Sequence, residues 1–281
     1  MPCNEATEVN LMMGKINTPL LLAPLLLIFG LAGCSISPTT TDDSAPVNPV
    51  DISSVPDATP RAEPRSRYGN PASYVVNGQR YHVMQSSQGY VERGIASWYG
   101  TKFHGRRTSS GETYNMYAMT AAHKSLPLPT YAQVTNLKNG RSIVVKINDR
   151  GPFHDNRIID LSYAAAAKLG ILKQGTGLVE VRAIGPGQEL TPAPATAMKM
   201  AQKSGDLFIQ VGAFSSRYNA DRLAEQLANS LSREIRIRQT ANGTSAVFRV
   251  QVGPLVSIAQ ADDLTLQLTQ LGIQDIRVII D

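Results

Sequence analysis

Between Val91 and Ile184, apolar and polar positions alternate in short bursts separated by turn residues, the pattern of strands that bury one face. "GIASWYG" reads as one strand, "YAQVTNLKNGRSIVVKIND" as two around an Asn139-Gly140 turn, and "GLVEVRAI" as the last. The period becomes helical only in "SYAAAAKLG", Ser162 to Gly170, which closes on a glycine C-cap. Many short strands and one small helix predict a compact β-barrel. Just upstream, "YVVNGQRYHVM" has two strand-like halves around Asn77-Gly78, so order is expected to begin near Tyr68, with 68–90 as a lead-in.

The last block, 205–281, contains a repeat: "QVGAF" at 210–214 recurs as "QVGPL" at 251–255. At the same offset of 41, Ala220-Asp221 matches Ala261-Asp262 and Gln226-Leu227 matches Gln267-Leu268. Each copy reads as a strand, an amphipathic helix and a further strand, which predicts a βαββαβ sandwich with one open sheet face. Alternation assigns Leu207, Ile209 and Val211 to the core and puts Phe208 and Gln210 on the other face. The repeat equates these two with Arg249 and Gln251, and "EIRIRQ" adds Arg236 and Arg238. An exposed aromatic ringed by Arg and Gln suits a long anionic, hydroxylated strand; a solvated sheet face is the plainer reading.

The flanks are of another kind. Met12-Met13-Gly14-Lys15 precedes an apolar run, Pro19 to Leu31, that is too short for an ordinary membrane span and ends in "LAGC". Residues 1–33 are therefore expected to be a signal peptide, with residues before Met12 as an upstream extension. From Ser35 to about Arg67 the chain is rich in Pro, Ser, Thr and Asp, so 34–67 is expected to be a flexible tether; 185–204 is expected to be a second linker.

Composition narrows the partners. The net charge of +5 favours an anionic one, and export makes a membrane surface or carboxylate-bearing cell wall a better fit than nucleic acid. Removal of Cys3 with the signal would leave Cys34 alone, and the scattered His82, His104, His123 and His154 form no metal-spaced cluster. No metal or other cofactor is expected.

The densest candidate chemistry is "KINDRGPFHDNRIIDLS", 146–162. Asp149 follows a strand and opens a Gly-Pro loop, an address suited to a functional side chain and equally to a turn-initiating Asp or an ion pair with Arg150. Asp160 precedes the alanine helix and reads as its cap, and Asp155 reads as exposed.

"GIASWYG…FHGRRTSSGETYNMYAMTAAHKSLPLPTYAQVTNLKNGRSIVVKINDRGPF…RIIDLS" resembles the rare lipoprotein A family, a double-psi β-barrel, and "FIQVGAF" with its repeat resembles a SPOR domain. The expected fold is thus mainly β plus α+β, a double-psi β-barrel at 91–184 followed by the ferredoxin-like SPOR module. "LAGC" resembles the lipobox, making Cys34 the acylated residue of an outer-membrane lipoprotein facing the periplasm. The resemblance implies an endolytic lytic transglycosylase that cuts peptidoglycan between MurNAc and GlcNAc in peptide-free glycan and leaves 1,6-anhydroMurNAc. It implies a role in cell separation at the septum, beside divisome proteins and amidases. "NDRGPF" places the family's catalytic aspartate at Asp149; the pattern also assigns Glu112, although Ser109-Ser110 departs from the usual "ANGE", and favours His123. Arg150 is a candidate for a sugar carboxylate, and Trp98 and Tyr99 for stacking on sugar, though aromatics in a first strand are more often core. The alternative is a non-catalytic, expansin-like wall-binding lipoprotein.

Overall fold

The computed structural model describes residues 43–48, 50–154, 156–188, 207–242, 245–273 and 276–281. The expected signal peptide, Cys34, Asp155 and most of the expected linker lie outside the described residues.

The lead-in is a hairpin of β1 (Ser73–Val76) and β2 (Gln79–His82). Its two-residue turn has positive φ at Asn77 and Gly78, 50° and 80°, as a type I′ connection requires. Then come β3 (Val91–Tyr99), β4 (Thr120–His123), β5 (Thr130–Asn136), β6 (Ser142–Asp149), β7 (Arg157–Ser162) and β8 (Gly177–Ile184). They close into a barrel in the order β3-β7-β4-β6-β5-β8. The β3–β7 and β4–β6 pairs are parallel and the other four antiparallel. The inward series of β6, Ile143, Val145 and Ile147, joins Val134, Ile159, Leu161 and Val181 in the core. By the same alternation Asp149 ends that series at the barrel mouth. The Asn139-Gly140 turn is a longer loop than expected: Asn136 Oδ1 accepts from the N–H groups of Lys138 and Asn139, and Gly140 takes φ 72°.

Helix α1 (Tyr163–Leu169) buries Ala164, Ala165, Ala166 and Leu169 against the barrel. Its N-cap is Ser162, whose Oγ accepts from Ala165 N–H at 3.1 Å, and its C-cap is the left-handed Gly170. Asp160 is therefore not the cap, contrary to expectation; it lies within β7.

Residues 43–67 also depart from the expected tether. Ile52, Val55 and Ala58 pack on the barrel core. Asp57 accepts from Val144 N–H at 3.0 Å and Lys168 Nζ at 2.7 Å, and Asp43 accepts from Gly100 N–H at 2.9 Å. A segment too polar to make its own core is ordered here by the barrel's backbone groups and cations.

The second module comprises β9 (Leu207–Phe214), α2 (Arg217–Ala228), β10 (Ile235–Asn242), β11 (Ser245–Leu255), α3 (Ile258–Gln270) and β12 (Arg277–Ile280). Its antiparallel sheet runs β10-β11-β9-β12. Leu207, Ile209 and Val211 are buried, as the alternation required, with Leu227, Ala261 and Leu268 from the helices. The two modules touch. Barrel residues Ile95 and Leu178 join this second apolar cluster, Asn156 Nδ2 donates to Asp262 Oδ1 at 2.5 Å, and Arg157 lies 3.7 Å from Asp262.

Candidate active site

The loop 108–112 folds over the end of β6 and fastens to two successive residues. Asp149 Oδ1 accepts from Ser109 N–H at 2.8 Å, Ser109 Oγ at 2.6 Å and Arg150 N–H at 2.7 Å. Three residues along the same loop, Glu112 accepts from Asn148 Nδ2 at 2.7 Å and Lys146 Nζ at 2.8 Å. One loop thus fastens carboxylates far apart in sequence to successive residues at one strand end. Burial works to raise the Glu112 carboxyl, but hydrogen bonds and charge from Lys146 and Asn148 outweigh it and leave it below the usual range. Ser109, where the sequence departs from "ANGE", gives Asp149 both its N–H and its Oγ–H. No hydrophobic or charge pattern could have marked it.

Asp160 lies across β4 from Asp149, since both pair with Ala122. Ser97 Oγ donates to its Oδ1, and a Cβ built on Gly151 would lie 3.8 Å from its Oδ2. Burial raises its carboxyl above the ordinary value, against the Ser97 hydrogen bond and the charges of Arg157 and Lys124. Gly151 itself has φ 138°, a conformation that favours glycine, which lets the chain turn closely over Asp160.

Arg150 is not free to hold a sugar. Its guanidinium donates to the Gly69, His123 and Leu126 carbonyls and to Asn70 Oδ1, at 2.6 to 3.3 Å, using all three nitrogens. It clamps the lead-in to the 123–126 loop and corrects the substrate-binding expectation. His123 is 2 % exposed, and no hydrogen bond links its ring to Asp149 or Glu112 among the described residues. Its Nδ1 accepts from the N–H groups of Ser125 and Leu126, which leaves the proton on Nε2, facing Tyr90 Oη at 2.8 Å. Burial, with the charges of Arg150 and Lys124, lowers its pKa to about 3, so it is neutral.

Tyr99 is core rather than a sugar platform, and Trp98 is half-buried against the same cluster. Tyr99 is 7 % exposed and stacks on Tyr114 with centroids 4.1 Å apart, while Trp98 meets Tyr163 edge-on. The aromatics beside the site are others: Tyr74 and Tyr81 of the hairpin stack at 5.3 Å, and both contact Phe153. The Arg150 guanidinium lies 5.9 Å over the Tyr74 ring.

In the second module, Phe208, Gln210, Arg249, Gln251, Arg236 and Arg238 do share the sheet face away from the helices. Phe208, however, is 4 % exposed, packed under Arg236 at 3.3 Å and against Gly253. Phe208 is thus not the exposed aromatic expected there. Arg236 donates to Gln251 and Asp281, Arg238 to Asp281, and Arg249 to Gln210 and Thr240.

Residues 91–181 match the lytic transglycolase family and residues 203–279 the SPOR domain family. The endolytic peptidoglycan transglycosylase RlpA of Vibrio cholerae is 43% identical over 250 residues, covering 88% of this chain and 90% of its own. This chain belongs to the RlpA family. The RlpA proteins of Pseudomonas aeruginosa (38% identical, 79% of each chain) and Neisseria meningitidis serogroup A (43%, 75% of this chain and 84% of its own) are similar to it as well. Within the RlpA frame, the double-psi barrel carries the Asp149–Glu112 corner and the SPOR module the polar sheet face.

Proposed function

We propose that the protein is an endolytic lytic transglycosylase that cuts the MurNAc–GlcNAc β-1,4 bond of peptide-free peptidoglycan without water. Membership of the RlpA family supports the activity, and the joining of Asp149 and Glu112 by one loop supports the residues. Asp149 gives a proton to the leaving oxygen, then accepts one from the C6 hydroxyl as that oxygen attacks C1. Atoms balance within the glycan: the glycosidic C–O bond breaks, the C1–O6 bond forms, and the hydroxyl proton returns to the carboxylate. Glu112, ionised against Lys146, stabilises positive charge developing on the sugar. Arg150 and His123 hold the loops that frame the corner.

Mass analysis of products from purified glycan tests the reaction. Ends of 1,6-anhydroMurNAc are expected, and reducing ends would indicate hydrolysis by two carboxylates. Asp149→Asn should lose about 10² to 10⁴ in rate. An active Asp149→Asn beside an inactive Asp160→Asn would transfer the role to the buried Asp160. Binding without turnover by the wild type would leave the expansin-like reading in its place. The SPOR face would hold glycan at the septum, and acylated Cys34, followed by Ser35, would anchor the chain in the outer membrane.

A further inference from the structure

A cleft of about 440 Å³ lies where three parts of the chain meet: the β1–β2 hairpin, the barrel beside His123, and β12 of the SPOR module. Its rim carries Arg80 from the hairpin, Lys124 and Arg157 from the barrel, and Arg277 from β12, with Glu92 in the lining and Asp262 3.7 Å from Arg157. Tyr81 forms part of one wall and packs on Tyr74 and Phe153, the group adjoining Arg150. The cleft and the Asp149 corner share a partition, since Arg150 Nη1 donates to the carbonyl of His123, whose neighbour Lys124 lines the cleft.

The sheet register ties Arg277 to the SPOR face through Gln210 and Gln251, both buried. Arg236 pairs with Gln251, Gln251 with Gln210, and Gln210 with Arg277, so these four side chains form one row across the SPOR sheet. Directly paired residues share a face, and the row therefore runs from the SPOR face to the cleft.

We propose that this cleft is a saccharide subsite for a MurNAc residue whose lactyl carboxylate is free, built jointly by both modules. This rests on the glycan-cleaving reading above. The Tyr81 ring suits the apolar face of a sugar, and the arginines suit a carboxylate. In peptide-bearing glycan the lactyl group is an amide and carries no charge, so the cleft discriminates at the point where the peptide has been removed. The SPOR module contributes to grip beside the active site as well as to attachment elsewhere.

The test compares the full chain with Arg80→Ala/Arg277→Ala and with Tyr81→Ala, on peptide-free glycan, on the same glycan with its carboxyls amidated, and on peptide-bearing glycan. Both arginines are exposed, so folding should be retained, and a melting curve checks it. Wild type should bind peptide-free glycan on the order of tenfold more tightly than the amidated form. The double variant should lose that preference, with a raised KM and a kcat near wild type. Equal binding and KM in wild type and double variant would overturn the subsite even if the enzyme is active. Tightest binding of peptide-bearing glycan, dependent on the arginines, would also overturn it, because stem-peptide carboxylates would then be the ligand. If wild type releases no anhydro ends, the catalytic reading fails, and the binding arms still decide the subsite.

Discussion

At the scale of single residues, side chains of the same type are separated by what surrounds them. Asp149 is held by three donors at the mouth, whereas Asp160, across β4 from it, has its carboxyl raised by burial. Ser109→Ala leaves two backbone N–H groups on Asp149, so kcat should fall by less than about tenfold, measured on peptide-free glycan. His123 makes a prediction of another kind. Its folded pKa is depressed from 6.5 to about 3, so the unfolded chain takes up the proton first. The stability it contributes is complete above about pH 6.5 and is lost as pH falls toward 3. Thermal melts should show wild type weakening over this window. His123→Asn, which keeps an acceptor for the 125–126 N–H groups, should show a shallower decline.

At the scale of elements, the segment before the hairpin contributes to the site's support. Lys146 bridges Glu63 at 3.0 Å and Glu112 at 2.8 Å, so a residue outside the barrel shares the cation that holds a candidate catalytic carboxylate. Hydrogen bonds from Tyr131 and then Arg61 depress Glu63 from 4.5 to about 2. A depressed carboxyl stabilises the fold above its unfolded pKa and loses that effect as pH drops through the folded one. Glu63→Gln should therefore melt below wild type at neutral pH, and the gap should close between about pH 4.5 and 2. Ser162→Ala removes the α1 cap, which should cost about 1 kcal/mol in denaturant unfolding. The strand pattern, the Asn77-Gly78 turn, α1 and the repeat were all legible from sequence because each is fixed by local period or turn chemistry. The packing of 43–67 was not, because its partners lie in the barrel.

At the scale of the whole molecule, the modules share apolar surface. Ile95 is 0 % exposed within the SPOR cluster, so a barrel cut from its partner would present it to water. Calorimetry of the full chain should show one cooperative transition, and Ile95→Asp should split it in two, because an unpaired charge there disfavours docking. Two transitions already present in wild type would refute the docked arrangement. Cys34→Ala should move the protein out of the outer-membrane fraction, and a variant that still partitions there would remove the lipid anchor from the proposal.

The sequence by itself determined the two modules, the strand and helix periods, and the presence of Glu112 and Asp149, because repeats, alternation and a dense polar motif are properties of neighbours along the chain. Only the tertiary structure decided what those side chains do. It buried Tyr99 and Phe208, tied every nitrogen of the Arg150 guanidinium to loops, and gave Ser109 to Asp149. Those outcomes depend on which donors and apolar faces meet across long separations, such as the 40 residues between Ser109 and Asp149, and local pattern carries no record of them.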